Sequence, residues 1–268
     1  RDWREAVHDV DCVVHGAARV HGMEHRASDP LTAYRRVNVE GTLRLARQAA
    51  AAGVRRLIFI SSVKAIGEST RAGHPFSADQ PPSPTDAYGL SKLEAERGLR
   101  DLASATGMEV VIIRPPLVYG PGVKANFRSL MKWLTRRVPL PFGAIDNRRS
   151  LVGIDNLVDL VVTCIDHAAA ANQVFLVSDD DDLSTSELLL RLGEALGRPA
   201  RLIPVPERWL RVAASMIGKP ELAHRLLSSL QLDVTKTRER LGWKPVVTVD
   251  EGLRRTAAHW LASQRNDG

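Results

Sequence analysis

The chain has 268 residues, 44% of them hydrophobic, which suits one large domain or two small ones with a sizeable core. No apolar run approaches a membrane span, and the opening RDWREAVHDVD, charged throughout, does not read as a secretory signal. The net charge of +6 comes from basic pairs scattered among acids, and only 5% of residues are aromatic, so a nucleic-acid surface is not expected.

The first apolar run, DCVVHGAA, is short and ends in small residues, as a buried strand running into a loop does. A long helix follows. Asp29 suits its N-cap, Pro30 its first turn, and Gly53 its end. RLIFISS (56–62) reads as a second strand. A Pro/Ser-rich loop leads into a helix over 87–106, and MEVVIIRPP (108–116) as a third strand is stopped by two prolines. Alternating apolar strands and helices predict an α/β fold, a parallel sheet covered on both faces. Beyond Gly122 the pattern loosens. Helices are expected near 126–137, 155–169, 185–196, 207–230 and 250–263, with short strands near 173–177 and 201–204. Cys12 and Cys164 lie in apolar contexts, so reduced core thiols in a cytoplasmic protein are expected rather than a disulfide. The acidic run 179–182 reads as a solvated turn rather than a metal site, and His21 and His25, four apart on a loop, lack the further ligands that zinc needs.

In a parallel sheet, ligands bind at the carboxyl ends of the strands. The second strand ends in Ser61 and Ser62, and the helix that follows carries Tyr88 and Lys92 on one face, at i and i+4. A serine, a tyrosine and a lysine thus converge on one crevice. That set suits hydride transfer to a nicotinamide coupled to proton transfer. Tyrosine, titrating near 10 when free, serves as a base when a nearby ammonium favours the phenolate, and serine holds the substrate oxygen. Taken singly, Ser62 reads equally as a strand-end hydrogen-bonder and Tyr88 as a core ring.

An ordered series of segments resembles the extended short-chain dehydrogenase/reductases, specifically the nucleotide-sugar epimerase/dehydratase family. DCVVHGAARVHG resembles the family's fourth strand, VNVEGT its N-x-x-G-T helix, and FISSVKAIGE the strand ending in the active-site Ser or Thr. YGLSK resembles the Tyr-x-x-x-Lys pair, and RPPLVYGPG the loop at the nicotinamide carboxamide. RRSLVGIDNLVDLV resembles a phosphate-holding arginine and its helix, and LDVTKTRERLGWKPVVTVDEGL the C-terminal signature. The resemblance implies a Rossmann-type doubly wound sheet over 1–122 and a smaller mixed α/β region over 123–268, mainly for substrate, with segments returning to the sheet. It implies catalytic roles for Ser62, Tyr88 and Lys92. NAD, with NADP an alternative, would meet Ala17, Ala18, Asn38, Ser61 and Pro115 besides Tyr88 and Lys92. A nucleotide-sugar substrate would meet Lys64, Leu117, Asn126 and Arg149. Asn38 reads otherwise as satisfying a backbone group, and Asn126 and Arg149 as a cap and a surface ion pair. It also implies a homodimer built from helices 30–52 and 87–106.

The sequence departs from the family pattern in several places. No Gly-rich dinucleotide turn is present, and roughly 50–70 residues, a βαβ unit and a little more, are expected to precede Arg1. Where related dehydratases carry an Asp-Glu pair, this chain has Val63 and Lys64, so loss of water is not expected. The stretch 207–230 is apolar and helical, reading as core packing or as a lid over an unusual or lipid-linked sugar. The expected activity is a 4-epimerase on a UDP-hexose or UDP-N-acetylhexosamine. A 4-keto-6-deoxy-sugar reductase for surface polysaccharide is the rival, and a catalytically inactive cofactor-binding or redox-sensing module the alternative from another class.

Overall fold

The computed structural model describes residues 2–20 and 29–266, with the backbone alone at 125, 126 and 266. Four parallel strands form the main sheet: β1 (Cys12–His15), β2 (Arg56–Ile60), β3 (Glu109–Arg114) and β6 (Val174–Leu176), in the order β1-β2-β3-β6. Two shorter strands, β4 (Leu117–Tyr119) and β5 (Leu151–Gly153), pair in parallel as a second sheet. Three-residue strands are too short to show periodicity, so the sequence gives no sign of either.

Side chains alternate across a strand, and the core follows that period of two. Leu57, Phe59, Val110 and Ile112 face α2 (Thr42–Ala51) and α3 (Ala87–Thr106), where Ala46, Ala49, Ala95 and Leu99 meet them. Ile58, Val111 and Ile113 face the other way, onto Leu157, Leu160 and Cys164 of α5 (Ile154–Asp166). Cys12 packs beside this layer, and both cysteines are free thiols. A third core joins α4 (Ala125–Thr135), α6 (Thr185–Ala195) and α10 (Val249–Asn266) around Tyr119, Phe127, Leu189 and Leu253. The last two helices before α10 are α8 (Pro220–Leu227) and α9 (Thr235–Leu241), and α7 (Glu207–Met216) precedes them.

Caps fix the helix ends that position the site. Asp29 accepts from Thr32 N and Pro30 opens α1 (Pro30–Tyr34). Asp86 accepts from Gly89 N at 2.6 Å to start α3, and Gly107, at φ 77°, ends it. Between α1 and α2 the helix widens into a seven-residue π segment, Arg35–Gly41, which carries Asn38.

Three sequence expectations need correction. Residues 201–204 form no strand, only a bridge from Leu202 to Leu140. The stretch 207–230 is two helices, broken at Gly218 (φ 68°): α8 buries Ala223 and Leu227, whereas α7 buries no residue and reaches the core only through half-buried Leu210 and Ala214. The acidic run is not solvated throughout. Asp179 is buried and accepts from Gly153 N, Asn156 Nδ2 and the Tyr119 hydroxyl, three donors from elements far away in sequence. Burial pushes its pKa upward and these bonds oppose that. Its neighbours pair with cations: Asp180 with Arg238, and Asp181 with Arg191.

Candidate active site at the strand ends

Ser62 ends the run that begins as β2 and accepts from Lys64 N at 3.2 Å, capping a short 3-10 turn, Val63–Ala65. The start of α3 lies over this turn. There Ser62 lies close enough to Tyr88 to act on its phenol. Tyr34, fully buried, meets the Tyr88 ring edge-on at 5.9 Å and fixes its orientation. One turn along α3, Lys92 Nζ donates to the Ile60 carbonyl at 2.6 Å and sits 4.2 Å from the centroid of the Phe59 ring. The three expected catalytic side chains therefore do gather at the carboxyl end of β2.

Their electrostatics differ from the sequence expectation. Burial raises the Tyr88 pKa above its ordinary value, the Ser62 hydrogen bond lowers it in part, and Asp86 adds to the rise. Tyr88 thus rests as a phenol. Burial also lowers Lys92 to about 8, against an opposing pull from Glu96. His15, at the end of β1, bonds Thr42 Oγ1 at 2.9 Å, stacks on Phe59, and is pushed down to about 4 by burial and by Lys92.

The remaining expected residues divide. Ala17 and Ala18 lie on the loop after β1, Ala17 exposed, as a cofactor wall would be. The Asn38 amide is occupied by protein: Oδ1 accepts from Arg19 N at 2.8 Å, and Nδ2 donates to Arg19 O and Ser91 Oγ. Ser61 turns inward, its hydroxyl donating to the buried Glu96 at 2.5 Å, and Pro115 is buried with its carbonyl accepting from Val63 N. Lys64 is ion-paired with Glu68 and Asp86 rather than open to a ligand. Leu117 is exposed at the start of β4. The Asn126 side chain lies outside the described residues, as do His21 and His25. Arg149 donates to Ser228 O at 2.7 Å, and burial alone lowers its pKa, with no carboxylate contributing.

Sequence reasoning missed a buried ionic network behind the site. Glu96, fully buried, accepts from Arg114 at 2.9 and 2.6 Å and from Ser61, and Arg114 also donates to Ala78 O. Glu96 lies one turn beyond Lys92 on the same helix face, which was the available signal. Asp86 and Tyr34 were also missed as site supports. Among the described residues no His, Cys, Asp and Glu cluster could hold a metal, and no helix is long and apolar enough to cross a membrane.

Residues 1–178 match the NAD dependent epimerase/dehydratase family. The chain belongs to that family. It is 52% identical over 261 residues to a UDP-glucose 4-epimerase of Vibrio cholerae, covering 97% of this chain and 80% of the relative. Among solved structures, UDP-glucose 4-epimerase of Thermotoga maritima with UDP-glucose superposes with a TM-score of 0.76 at 24% identity, over 97% of this chain and 80% of that one. RMD of Pseudomonas aeruginosa with NADPH gives 0.76 at 21%, over 96% and 86%. These likenesses establish the epimerase/dehydratase fold, with its nicotinamide cofactor, as the frame for the site. The donor set fits such a cofactor: a phenol, an ammonium with N–H donors beyond its Ile60 bond, and a wall of small residues at one sheet edge.

Proposed function

We propose that the chain is an NAD-dependent 4-epimerase of a UDP-hexose or UDP-N-acetylhexosamine. The observation that carries the reading is the convergence of Ser62, Tyr88 and Lys92 at the carboxyl end of β2, with Lys92 Nζ anchored on the Ile60 carbonyl. The 52% identity to a UDP-glucose 4-epimerase supports the choice of substrate class. Ser62 holds the C4 oxygen in line with Tyr88. Tyr88 Oη takes the proton from that oxygen as the alcohol becomes a ketone, and returns it after the sugar has presented its other face. Lys92 lowers the cost of the phenolate while the proton is away. Bound NAD supplies the hydride acceptor for C4 and the donor on return. Tyr88 and Lys92 would hold its nicotinamide end, with the loop at Ala17 and Ala18 as wall and NADP the alternative cofactor. Arg149, which has no carboxylate partner among the described residues, would take the substrate diphosphate.

Leu117 favours a second reading. It presents an exposed apolar side chain on the proposed substrate wall, which suits a deoxygenated sugar. On that reading the same Ser62, Tyr88 and Lys92 reduce a UDP-4-keto-6-deoxy sugar, with reduced cofactor consumed once per turnover. The Ala- and Leu-rich faces of helices 30–52 and 87–106 suit pairing between two copies, and a two-fold homodimer is part of the reading. The test is C4 inversion by NMR on UDP-glucose and UDP-N-acetylglucosamine with catalytic NAD. No inversion, with stoichiometric NAD(P)H oxidation on the 4-keto-6-deoxy sugar, establishes the reductase instead.

A further inference from the structure

Helix α7 is the most exposed apolar element of the molecule's C-terminal half. Trp209 is 59% exposed, Val212 51% and Met216 83%, and Ile217, which closes the helix, is 68% exposed. At 3.6 residues per turn, Trp209, Val212 and Met216 fall within about 60° of one another, as one stripe along the axis. The stripe is not a misplaced core face. The core contact of α7 is made by Leu210 and Ala214, which pack on Ile145, Ala223 and Leu227. The inner side is satisfied and the outer stripe meets water.

What surrounds the stripe says what could cover it. Arg208 stands exposed at the start of the helix, 5.8 Å from the Trp209 ring centroid, and Lys219 stands exposed just beyond its end. Residues 201–225 hold five basic and two acidic side chains, and Glu207 is already paired with Arg211 at 2.6 Å. Two copies meeting through this face would bring like charges together, which is costly. An anionic surface answers both features: apolar side chains enter it and cations meet its phosphates. Tryptophan is suited to that boundary, one part apolar and one part a polar N–H.

We propose that α7 rests the protein on anionic phospholipid bilayers, with the Trp209–Val212–Met216 stripe in the headgroup layer and Arg208 and Lys219 on lipid phosphates. The helix lies in the interface and does not cross it. It also packs on α8, whose end supplies the Ser228 carbonyl that receives Arg149. The docked face is therefore tied through one helix to the site assigned to substrate diphosphate.

The test is co-sedimentation of the complete protein with vesicles of phosphatidylcholine and phosphatidylglycerol, against vesicles of phosphatidylcholine alone. Binding to the mixed vesicles, lost as salt rises, is expected. Trp209→Glu with Met216→Glu should weaken it at least about tenfold. Arg208→Gln with Lys219→Gln should remove the preference for the anionic lipid. Both variants should keep the sedimentation coefficient and the sugar activity of the parent without vesicles. The idea is overturned by equal recovery with and without vesicles, by glutamate variants that bind as the parent does, or by a change of oligomeric state in those variants, which would make the stripe a contact between copies. The vesicle assay contains no sugar, so failure of the 4-epimerase reading leaves its outcome untouched.

Discussion

Gly89 lies directly against the backbone carbonyl of Lys64, so close that a Cβ at Gly89 would overlap that oxygen. The contact sets the start of α3 down on the turn that follows Ser62. Both partners are backbone, so no side chain can swing aside. Gly89→Ala is expected to lift the first turn of α3 and carry Tyr88 away from Ser62. A displacement near 1 Å costs roughly 100-fold in turnover. Turnover within a few-fold of the parent, with an unchanged melting temperature, would show that the approach is looser than described.

Tyr88→Phe removes the proposed proton carrier and leaves the ring packed on Tyr34. Turnover should fall at least about 100-fold, the scale of general acid–base groups. Folding should be unaffected, and cofactor binding only weakly so. Steady-state kinetics beside a thermal melt separate these outcomes.

Arg149→Ala should act on binding rather than chemistry. Among the described residues its guanidinium has a carbonyl partner and no carboxylate, so an arriving diphosphate would meet an uncompensated charge. The expected result is KM for the UDP-sugar raised at least about tenfold with turnover nearly kept, as loss of uniform binding predicts. A fall in turnover at constant KM would move Arg149 out of the substrate site.

Arg114 and Glu96 form a buried pair. Removing one partner strands the other, so Arg114→Met should destabilise by about 3–5 kcal/mol. Replacing both, Arg114→Met with Glu96→Leu, should recover most of that loss. Urea unfolding of the parent, the two single variants and the double variant measures the coupling. Additive losses would mean that the ions act independently.

His15 gives the fold an acid-sensitive step. Its folded pKa, about 4, lies below the ordinary 6.5, so the unfolded chain binds the proton first as pH falls. The contribution is fully present above pH 6.5 and is lost progressively toward pH 4. His15→Gln should flatten stability against pH in that window, seen as a smaller fall in melting temperature between pH 7 and pH 4.5. Parallel curves for parent and variant would place the acid sensitivity elsewhere.

Much of the frame is legible in sequence. The Pro/Ser-rich loop marks the start of α3, and unbroken apolar runs mark β2 and β3. The convergence of Ser62, Tyr88 and Lys92 follows once the sheet is parallel. What escaped reading depends on distance along the chain. Asp179 looks solvated beside three other acids, because its donors sit 23 to 60 residues away. Tyr88 was expected to lean toward phenolate, because the sequence shows the lysine but not the depth of burial. The π segment around Asn38 has an apolar pattern that an ordinary helix would share. Leu202 makes only a single bridge, where its apolar neighbours suggest a strand.

The saturated amide of Asn38 has a mechanical consequence. One side grips the backbone of Arg19, just past the loop assigned to the cofactor wall, and the other grips Ser91, whose hydroxyl donates to the Tyr88 carbonyl at 2.7 Å. A tug on the loop therefore reaches the backbone of Tyr88 through three hydrogen bonds in series. Whatever firms the loop also firms Tyr88, and by reciprocity a ligand held at Tyr88 tightens the loop. On the proposed assignment, the loop that would line the cofactor and the tyrosine that would carry the proton are braced as one unit, with the widened helix turn between them.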